Sequence, residues 1–349
     1  MTLLAGDLGG TKTLLALCQN DGTLLYSQRL SSQAFASLDE MVGTFLATPE
    51  VQGWDRPSKA AFGVAGPVTE IPASGSAAEP SHQRAHITNL HYHIDTQTLA
   101  QRAGLSRVRL CNDFYAVALA IAQAAAPGAN TAIFDLVALN PSAQASPHGT
   151  VAVLGAGTGM GQALIARSVQ PAVILPTEGG HSDFAPRDEV ELALLRFLLK
   201  RHPDHVSVER VLCGAGLVML YEFFCSQEPT QENPAVTAAI AAAGGSGAAV
   251  ISQQGLADTD ALCSLALQRF VMLYGAEASN LALKSLATGG VYLAGGIAAK
   301  ILPKMTDGVF MQNFVRKGRF SALCQQLPVY IVKNPDIGLF GAAYLASTL

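Results

Sequence analysis

The chain has 349 residues, of which 50% are hydrophobic and 14% are charged. This composition is typical of a well-packed α/β protein, and the length predicts two lobes because a single core stops growing near ~250–300 residues. The net charge of -4 argues against a nucleic-acid-binding surface, and the densest basic cluster is Arg316, Lys317 and Arg319. We therefore expect no nucleic-acid partner.

The six cysteines are scattered through apolar segments, without a CxxC pair or a Cys/His cluster. This pattern argues against a zinc site and against a disulfide framework, and it favours a reducing compartment. The N-terminus has no basic segment followed by a long apolar core and a cleavage site, and no stretch approaches ~18 uninterrupted apolar residues. We predict a cytoplasmic protein with no membrane partner.

The N-terminal stretch predicts a β-hairpin with a glycine-rich turn. Neither the dinucleotide-binding spacing nor the P-loop spacing of glycines is present. Backbone N–H groups, the hydroxyls of Thr11 and Thr13 and the Lys12 ammonium are suited to binding a polyphosphate, and Asp7 is suited to holding a hydrated Mg²⁺ on it. The alternative is an ordinary hairpin with an exposed Asp and Lys. The turn consists of Gly6, Asp7, Leu8, Gly9, Gly10, Thr11, Lys12 and Thr13.

The next elements alternate between strands and helices. Strands are predicted at 24–30, 59–65 and 108–111, and helices begin near Ser37, near 95 and at 114. Ser37 and Glu40 have the spacing of a helix capping box. The stretch 69–86 has no usable periodicity and predicts a long loop, and 127–147 is typical of a linker. The strand at 108–111 ends at Asn112 and Asp113.

A second strand, turn and strand motif follows at 151–167. Its glycine-rich turn repeats the opening motif in form, as a duplicated domain with a ligand between its halves would, although two hairpins are also alike by chance. Beyond it we predict helices at 188–201, 216–224, 260–284 and 338–345, strands at 290–294 and 328–332, and a short helix with a loose loop within 230–257. The strand at 290–294 ends in Gly295 and Gly296. The second turn contains Gly155, Gly157, Thr158 and Gly159.

The two Gly/Thr turns and the Gly295–Gly296 strand end are similar to the phosphate 1, phosphate 2 and adenosine motifs of the sugar kinase, actin and Hsp70 superfamily. Four further blocks, at 110–114, 178–186, 207–217 and 334–339, resemble the bacterial glucokinase family of ATP:glucose 6-phosphotransferases. This resemblance implies an α/β, two-domain actin-like ATPase (ribonuclease H-like) fold with a cleft between a small and a large domain. The small domain is expected at 1–123 with 330–349, and the large one at 124–329.

The resemblance also implies the roles of individual residues. Asp113 is the expected catalytic base, since a carboxylate in hydrogen-bonding reach accepts the hydroxyl proton during phosphoryl transfer. Asn112, Glu178, His181 and Glu209, together with Asp113, are the expected ligands of the sugar hydroxyls. ATP and Mg²⁺ are the implied cofactors, glucose is the implied substrate in the first step of glycolysis, and a homodimer is the implied assembly.

Simpler interpretations of the same residues stay open. Asn112 and Asp113 fit a helix cap, Glu178 to His181 fits a surface turn, and Glu209 next to Arg210 fits a solvated ion pair. The connection at 69–86 is longer than is usual in the family, and Tyr92 stands where a Trp is usual. A kinase for another hexose or an amino sugar, or an ATPase switch like actin or Hsp70, is therefore the alternative function.

Overall fold

The computed structural model describes residues 2–72, 81–87, 90, 92–124 and 131–349. The contacts within the chain divide it into two units. Unit 1 consists of Met1–Asn130 and Asn334–Leu349, and unit 2 consists of Thr131–Lys333.

Unit 1 contains a five-stranded sheet and a three-stranded sheet. The elements before residue 131 are β1 (Thr2–Leu8), β2 (Lys12–Gln19), β3 (Leu24–Ser31), α1 (Leu38–Leu46), α2 (Pro49–Gln52), β4 (Lys59–Val64), β5 (Val68–Ile71), β6 (His82–His86), β7 (His93–Asp95), α3 (Thr96–Ala103), β8 (Arg107–Asn112) and α4 (Asp113–Ala124). The strand orders are β3-β2-β1-β4-β8 in the first sheet and β5-β6-β7 in the second. β1, β4 and β8 run parallel, so the carboxyl ends of these strands lie along one edge of the sheet.

Local sequence explains these elements where apolar residues and caps are clear. β4 is apolar almost throughout, as is typical of a parallel strand covered on both faces. Ser37 accepts the N–H of Glu40 at 3.2 Å, and the Glu40 carboxylate accepts the N–H of Ala36 at 2.8 Å. The predicted start of α1 is therefore confirmed.

The prediction of an unbroken loop at 69–86 is wrong at both of its ends. Residues 68–71 and 82–86 form β5 and β6, which pair antiparallel, while 73–80 lie outside the described residues. The buried positions of β6 are Gln83 and Ala85, so this strand has no apolar alternation. Gln83 is satisfied by Glu70 at 2.7 Å and by the N–H of Leu110 at 2.6 Å.

Unit 2 is built around a six-stranded sheet. Its elements are β9 (Leu136–Ala138), β10 (Val151–Ala156), β11 (Met160–Ala166), β12 (Val173–Thr177), α5 (Glu189–Leu199), α6 (Gly214–Gln227), α7 (Pro234–Ala242), α8 (Gly247–Ala257), α9 (Ala261–Ser285), β13 (Gly290–Ala294), α10 (Gly296–Lys300), α11 (Leu302–Met305), α12 (Val309–Val315), α13 (Ser321–Gln325) and β14 (Val329–Val332). The strand order in the sheet is β12-β11-β10-β13-β14-β9. The 25-residue helix α9 belongs to the hydrophobic core of the unit, where Phe270 and Tyr274 are fully buried.

Two sequence predictions for this unit are wrong. The linker predicted at 127–147 contributes β9, which pairs antiparallel with β14 at the edge of the sheet. The segment 230–257 holds two helices, α7 and α8, instead of one helix and a loop. Within the described ranges no single helix is long and apolar enough to cross a membrane, and only the α7–α8 pair, bent by 118°, meets the length and composition criteria together.

The chain returns to unit 1 with α14 (Ile337–Ser347), which packs on α4, β1 and β4. A Cβ on Gly341 would lie 1.7 Å from the carbonyl oxygen of Ala116, so glycine permits the close approach of α14 to α4. This contact joins the last helix of the chain to the helix that begins at Asp113.

Candidate active site

Three of the predicted site residues lie together at the carboxyl edge of the sheet in unit 1. Asp7 of β1 is opposite Gly63 of β4, and Val64 is opposite Asn112 of β8. A Cβ on Gly63 would lie 3.6 Å from the Cα of Asp113. The parallel strands thus bring two carboxylates and one amide to a single edge, as expected for a site at strand ends.

Asn112 caps α4. Its Oδ1 accepts the N–H of Phe114 at 2.9 Å and that of Tyr115 at 3.2 Å, and Oδ1 of Asp113 accepts the N–H of Phe114 at 2.8 Å. The alternative interpretation of these residues as a helix cap is therefore correct for Asn112. The two functions are compatible, because the cap uses the oxygen of Asn112 and its amide nitrogen carries the hydrogen-bond donors.

Asp7 lies in an acidic environment. Burial, assisted by the negative charges of Asp113 and Asp336, raises the pKa of Asp7 to about 6, while Arg29 acts in the opposite direction. Arg29 itself pairs with Asp336 at 2.5 Å, and a Cβ on Gly338 would lie 3.2 Å from the Asp7 carboxylate. A bound cation would offset this concentration of negative charge.

Fewer residues of the first glycine-rich turn face solvent than its sequence indicated. The N–H of Gly9 donates to the carbonyl of Lys12 at 3.0 Å and closes the turn, while Thr11 and Lys12 are exposed. Thr13 is fully buried, and its hydroxyl bonds to that of Ser32 at 3.0 Å. The prediction that the Thr13 hydroxyl faces a phosphate is therefore wrong.

Two other residues that were predicted to bind the nucleotide, Leu8 and Gly6, are buried. The side chain of Leu8 is fully buried, and its carbonyl accepts the N–H of Ala65 at 3.1 Å. Leu8 therefore supports the turn from within the core. Gly6 is likewise enclosed, because a Cβ there would lie 2.4 Å from the Phe62 ring.

The second glycine-rich turn, in unit 2, is closed by the N–H of Gly157 donating to the carbonyl of Gly159 at 2.8 Å. Thr158 is exposed at its tip. The carbonyl of Gly157 accepts the N–H of Gly214, the first residue of α6, at 2.9 Å. The N-terminus of a 14-residue helix therefore adjoins the turn, and its dipole favours a nearby anion.

Two segments of unit 2 that carry predicted sugar ligands contact Met160, the first residue after this turn. Glu209 accepts the N–H of Met160 through Oε2 at 2.8 Å. A Cβ on Gly180 would lie 2.1 Å from the Met160 carbonyl oxygen, so the loop that carries Glu178 and His181 rests on the same residue. In that loop His181 Nε2 is 4.0 Å from Glu178 Oε2.

The Glu178–His181 loop is also tied to the turn that carries Glu209. The N–H of Val208 donates to the carbonyl of Ser182 at 2.9 Å, and that of Phe184 donates to Val206 at 2.9 Å. The side chains of Glu178 and His181 are 91% and 61% exposed. They are thus open to a ligand, while Glu209 is half-buried.

The third predicted nucleotide segment lies beside the second turn. Gly295 follows β13 with a positive φ of 83°, and a Cβ there would lie 2.7 Å from the carbonyl oxygen of Ala156. Gly296, the first residue of α10, has open space where a Cβ would stand. Both glycines therefore permit a close approach to their backbone.

Within each unit the residues fit part of a nucleoside triphosphate with a hydrated Mg²⁺. The exposed Thr11, Lys12 and Thr158 of the two turns suit phosphates, and the half-buried Asp7 has a raised pKa that a divalent cation would reverse. Within the described ranges no three or more His, Cys, Asp or Glu side chains form a metal cluster. Mg²⁺ commonly takes one or two carboxylates and completes its shell with water and substrate phosphate.

Asp336, Arg29 and Met160 have functions in these surroundings that no motif of the sequence indicates. Asp336 lies in the 334–339 block, but its proximity to Asp7 depends on the return of α14 to unit 1. The contacts of Met160 are made by its backbone, which leaves no signal in the residue type. Tyr92, at the position where a Trp is usual, is 4% exposed, and its hydroxyl lies 2.5 Å from the carbonyl oxygen of Ser32 and 3.2 Å from that of Phe35.

The fold is that of a sugar kinase of the actin-like ATPase class. The family model named Glucokinase matches residues 4–349, and the chain belongs to the glucokinase family. It is an ATP-dependent hexose kinase.

Relatives of similar length support this assignment. The chain is 39% identical to a glucokinase of a Nostoc species, with 99% of both chains covered. It is 38% identical to a glucokinase of a Synechocystis species, over 99% of this chain and 98% of the relative. A crystal structure of glucokinase from an Antarctic psychrotroph has a TM-score of 0.78 and 28% identity, covering 100% of this chain and 99% of the other.

Proposed function

We propose that this enzyme transfers the γ-phosphoryl group of ATP to the 6-hydroxyl of glucose, with Asp113 as the catalytic base. The observation that carries the proposal is the placement of Asp113 and Asp7 at one sheet edge. Two carboxylates in different surroundings suit two tasks. Asp7, with its raised pKa and acidic neighbours, suits a metal. Asp113 at the start of α4 suits the proton of the attacking hydroxyl.

Asn112, Glu178, His181 and Glu209 bind the remaining sugar hydroxyls in this proposal. The Asn112 amide donates, since its oxygen is used by the cap of α4. Glu209 has one oxygen fixed by Met160, which leaves Oε1 to accept from a hydroxyl. The half-buried Glu209 penalises an analogue that lacks its hydroxyl, because a polar group held away from water is then left unpaired.

The turns at Gly6–Lys12 and Gly155–Gly159 bind the phosphates of ATP in the proposed mechanism, and Gly295 and Gly296 approach the adenosine. The first turn offers the half-buried Gly10 and the exposed Thr11 and Lys12, and the second offers Thr158 beside the N-terminus of α6. Mg²⁺, when bound, neutralises phosphate charge, and Asp7 would hold it through water. Asp113 then accepts the hydroxyl proton as the phosphoryl group moves.

We also propose, from the family resemblance alone, a cytoplasmic homodimer that supplies glucose 6-phosphate to glycolysis. Light scattering on the purified protein gives the mass of the assembly, and a monomer at micromolar concentration would refute the dimer.

A coupled assay of ADP release with and without glucose tests the proposed function. We expect ADP release to depend on both glucose and Mg²⁺, and to match the amount of glucose 6-phosphate formed. Sugar-independent ATPase activity would favour a switch of the actin or Hsp70 kind instead. A panel with mannose, fructose, galactose and glucosamine separates glucose from another hexose or an amino sugar, and a larger kcat/KM for one of these would replace glucose as the substrate.

A further inference from the structure

A chain of buried polar side chains in unit 2 connects β11 with α9. Gln162 and Glu277 are 4% and 6% exposed. Gln162 Nε2 donates to Glu277 Oε1 at 2.8 Å, and Asn280 Nδ2 donates to Glu277 Oε2 at 3.0 Å. Two neutral amides thus bind the two oxygens of a buried carboxylate.

This chain of hydrogen bonds continues to a cation. The Lys317 ammonium donates to Asn280 Oδ1 and, at 3.2 Å, to the carbonyl of Ala276. An ammonium only donates and a carboxylate only accepts, so the amide of Asn280 between them has one orientation that satisfies both. Gln162 is oriented in the same way, with its nitrogen toward Glu277.

The other end of the chain is the loop that carries Glu178 and His181. A Cβ on Gly179 would lie 2.2 Å from Gln162 Oε1, so the loop backbone rests directly on this amide. Thr177 reinforces the contact, because its hydroxyl donates to the Gln162 carbonyl at 3.0 Å and accepts the N–H of Gly179 at 3.2 Å.

We propose that Glu277 is a positioning residue for hexose binding. It orients Gln162, and Gln162 supports the backbone of Gly179 and so fixes where Glu178 and His181 stand. The inference rests on the proposed function of this loop in binding sugar. Supporting contacts of this kind keep binding side chains near their productive geometry, and their loss weakens binding without removing a ligand.

Glu277→Gln tests the proposal. The new side chain offers one acceptor oxygen and two N–H donors where two acceptors stood, so it cannot accept from both Gln162 and Asn280. We expect the KM for glucose to rise about fivefold or more, with the KM for ATP unchanged within twofold. Glu222→Gln is the control, because Glu222 is an exposed residue of α6 paired with Arg201 at 3.4 Å; we expect it to behave as the unaltered enzyme.

The double variant Glu277→Gln with Asn280→Asp supplies the rescue. The carboxylate then stands at position 280 and accepts from Lys317 and from the new amide at 277, whose oxygen accepts from Gln162. Every hydrogen bond is remade with the same net charge, and we expect the KM for glucose to return to within about twofold of the original. A folded double variant as impaired as the single one would overturn the proposal.

Hydrogen exchange gives a readout that needs no sugar. In Glu277→Gln and in Gln162→Met we expect faster exchange of the amides at 179–182, with rates elsewhere in unit 2 unchanged, and recovery in the double variant. Unchanged exchange at 179–182, or exchange raised throughout unit 2, would overturn the positioning role. If the pattern is as expected but no sugar is phosphorylated, the positioning contact stands and the proposed function fails.

Discussion

Oε2 of Glu209 accepts the backbone N–H of Met160 at 2.8 Å. Met160 directly follows the second glycine-rich turn, so a predicted ligand of the sugar is hydrogen-bonded to the segment predicted to bind phosphate. A bond from a backbone N–H to a carboxylate is charge-assisted and stronger than one between neutral groups. The turn and the sugar ligand are therefore expected to depend on one another.

Two substitutions of Glu209 separate its two contacts. Glu209→Gln keeps an oxygen that accepts from Met160, so we expect a raised KM for glucose and an almost unchanged KM for ATP. Glu209→Ala removes the acceptor as well, and an unpaired buried N–H costs about 1–3 kcal/mol. We expect this variant to raise both KM values, by about tenfold for ATP. Equal ATP affinities in the two variants, measured by steady-state kinetics, would contradict the coupling.

Alanine substitutions of Gly157 and Gly159 should have different effects, on ATP binding in the first case and on stability and glucose binding in the second. A Cβ on Gly159 would lie 2.5 Å from Oε2 of Glu209, whereas no atom lies within 4 Å of a Cβ on Gly157. Gly159→Ala should displace Glu209, lower the melting temperature and raise the KM for glucose. Gly157→Ala should leave the melting temperature unchanged and raise only the KM for ATP, because the methyl group would face the phosphate. If both variants lose stability equally, the packing argument for Gly159 is wrong.

Replacing Asp113 tests the catalytic base. Asp113→Asn keeps an oxygen at the position that accepts the N–H of Phe114, so the start of α4 should remain intact. We expect kcat to fall by a factor of ~10² or more, since general-base catalysis contributes this much. Glucose binding, measured by calorimetry, and the melting temperature should change little. Turnover close to that of the unaltered enzyme would exclude Asp113 as the base.

The turns and strand ends of the candidate site could be predicted from the sequence because their signals are local. The turn at Gly6–Thr11 and the strand end at Asn112 are visible as apolar strands that stop at Gly, Asn or Asp. β5 and β6 were missed because the buried positions of β6 include Gln83, whose polarity is satisfied by Glu70 and Leu110 from other strands. A partner that is distant in sequence leaves no periodic pattern.

The contacts between the predicted groups could not be predicted from the sequence, for the same physical reason. The contact of Glu209 with Met160 joins a side chain to a backbone N–H 49 residues away, and residue type carries no record of it. Asp336 acts on Asp7 only because the chain returns to unit 1 after residue 333. A charge effect of this kind depends on how the chain folds and leaves no signal in the sequence.

The raised pKa of Asp7 predicts that the stability of the protein depends on pH. A variant with a neutral side chain at this position should lack this dependence. The pKa of Asp7 is raised from 3.8 to about 6 in the folded protein, mainly by burial and then by Asp113 and Asp336. The folded state therefore binds this proton more tightly than the unfolded state does. The resulting loss of stability is absent below pH ~4, grows as the pH rises and is complete above pH ~6.

Asp7→Asn removes this charge and with it the loss of stability. We expect a gain of roughly 1–3 kcal/mol in the free energy of unfolding at pH 8, the lower values because Asp7 is partly exposed. The melting temperature should be a few degrees higher than that of the unaltered protein. The difference should shrink as the pH is lowered from 6 to 4. The exposed Asp55, replaced by Asn, is the matched control for the loss of one surface carboxylate. In the presence of Mg²⁺ and ATP the order should reverse, because the carboxylate that holds the metal stabilises only the unaltered protein; an Asp7→Asn variant that gains as much from Mg²⁺ and ATP would remove Asp7 from the metal site.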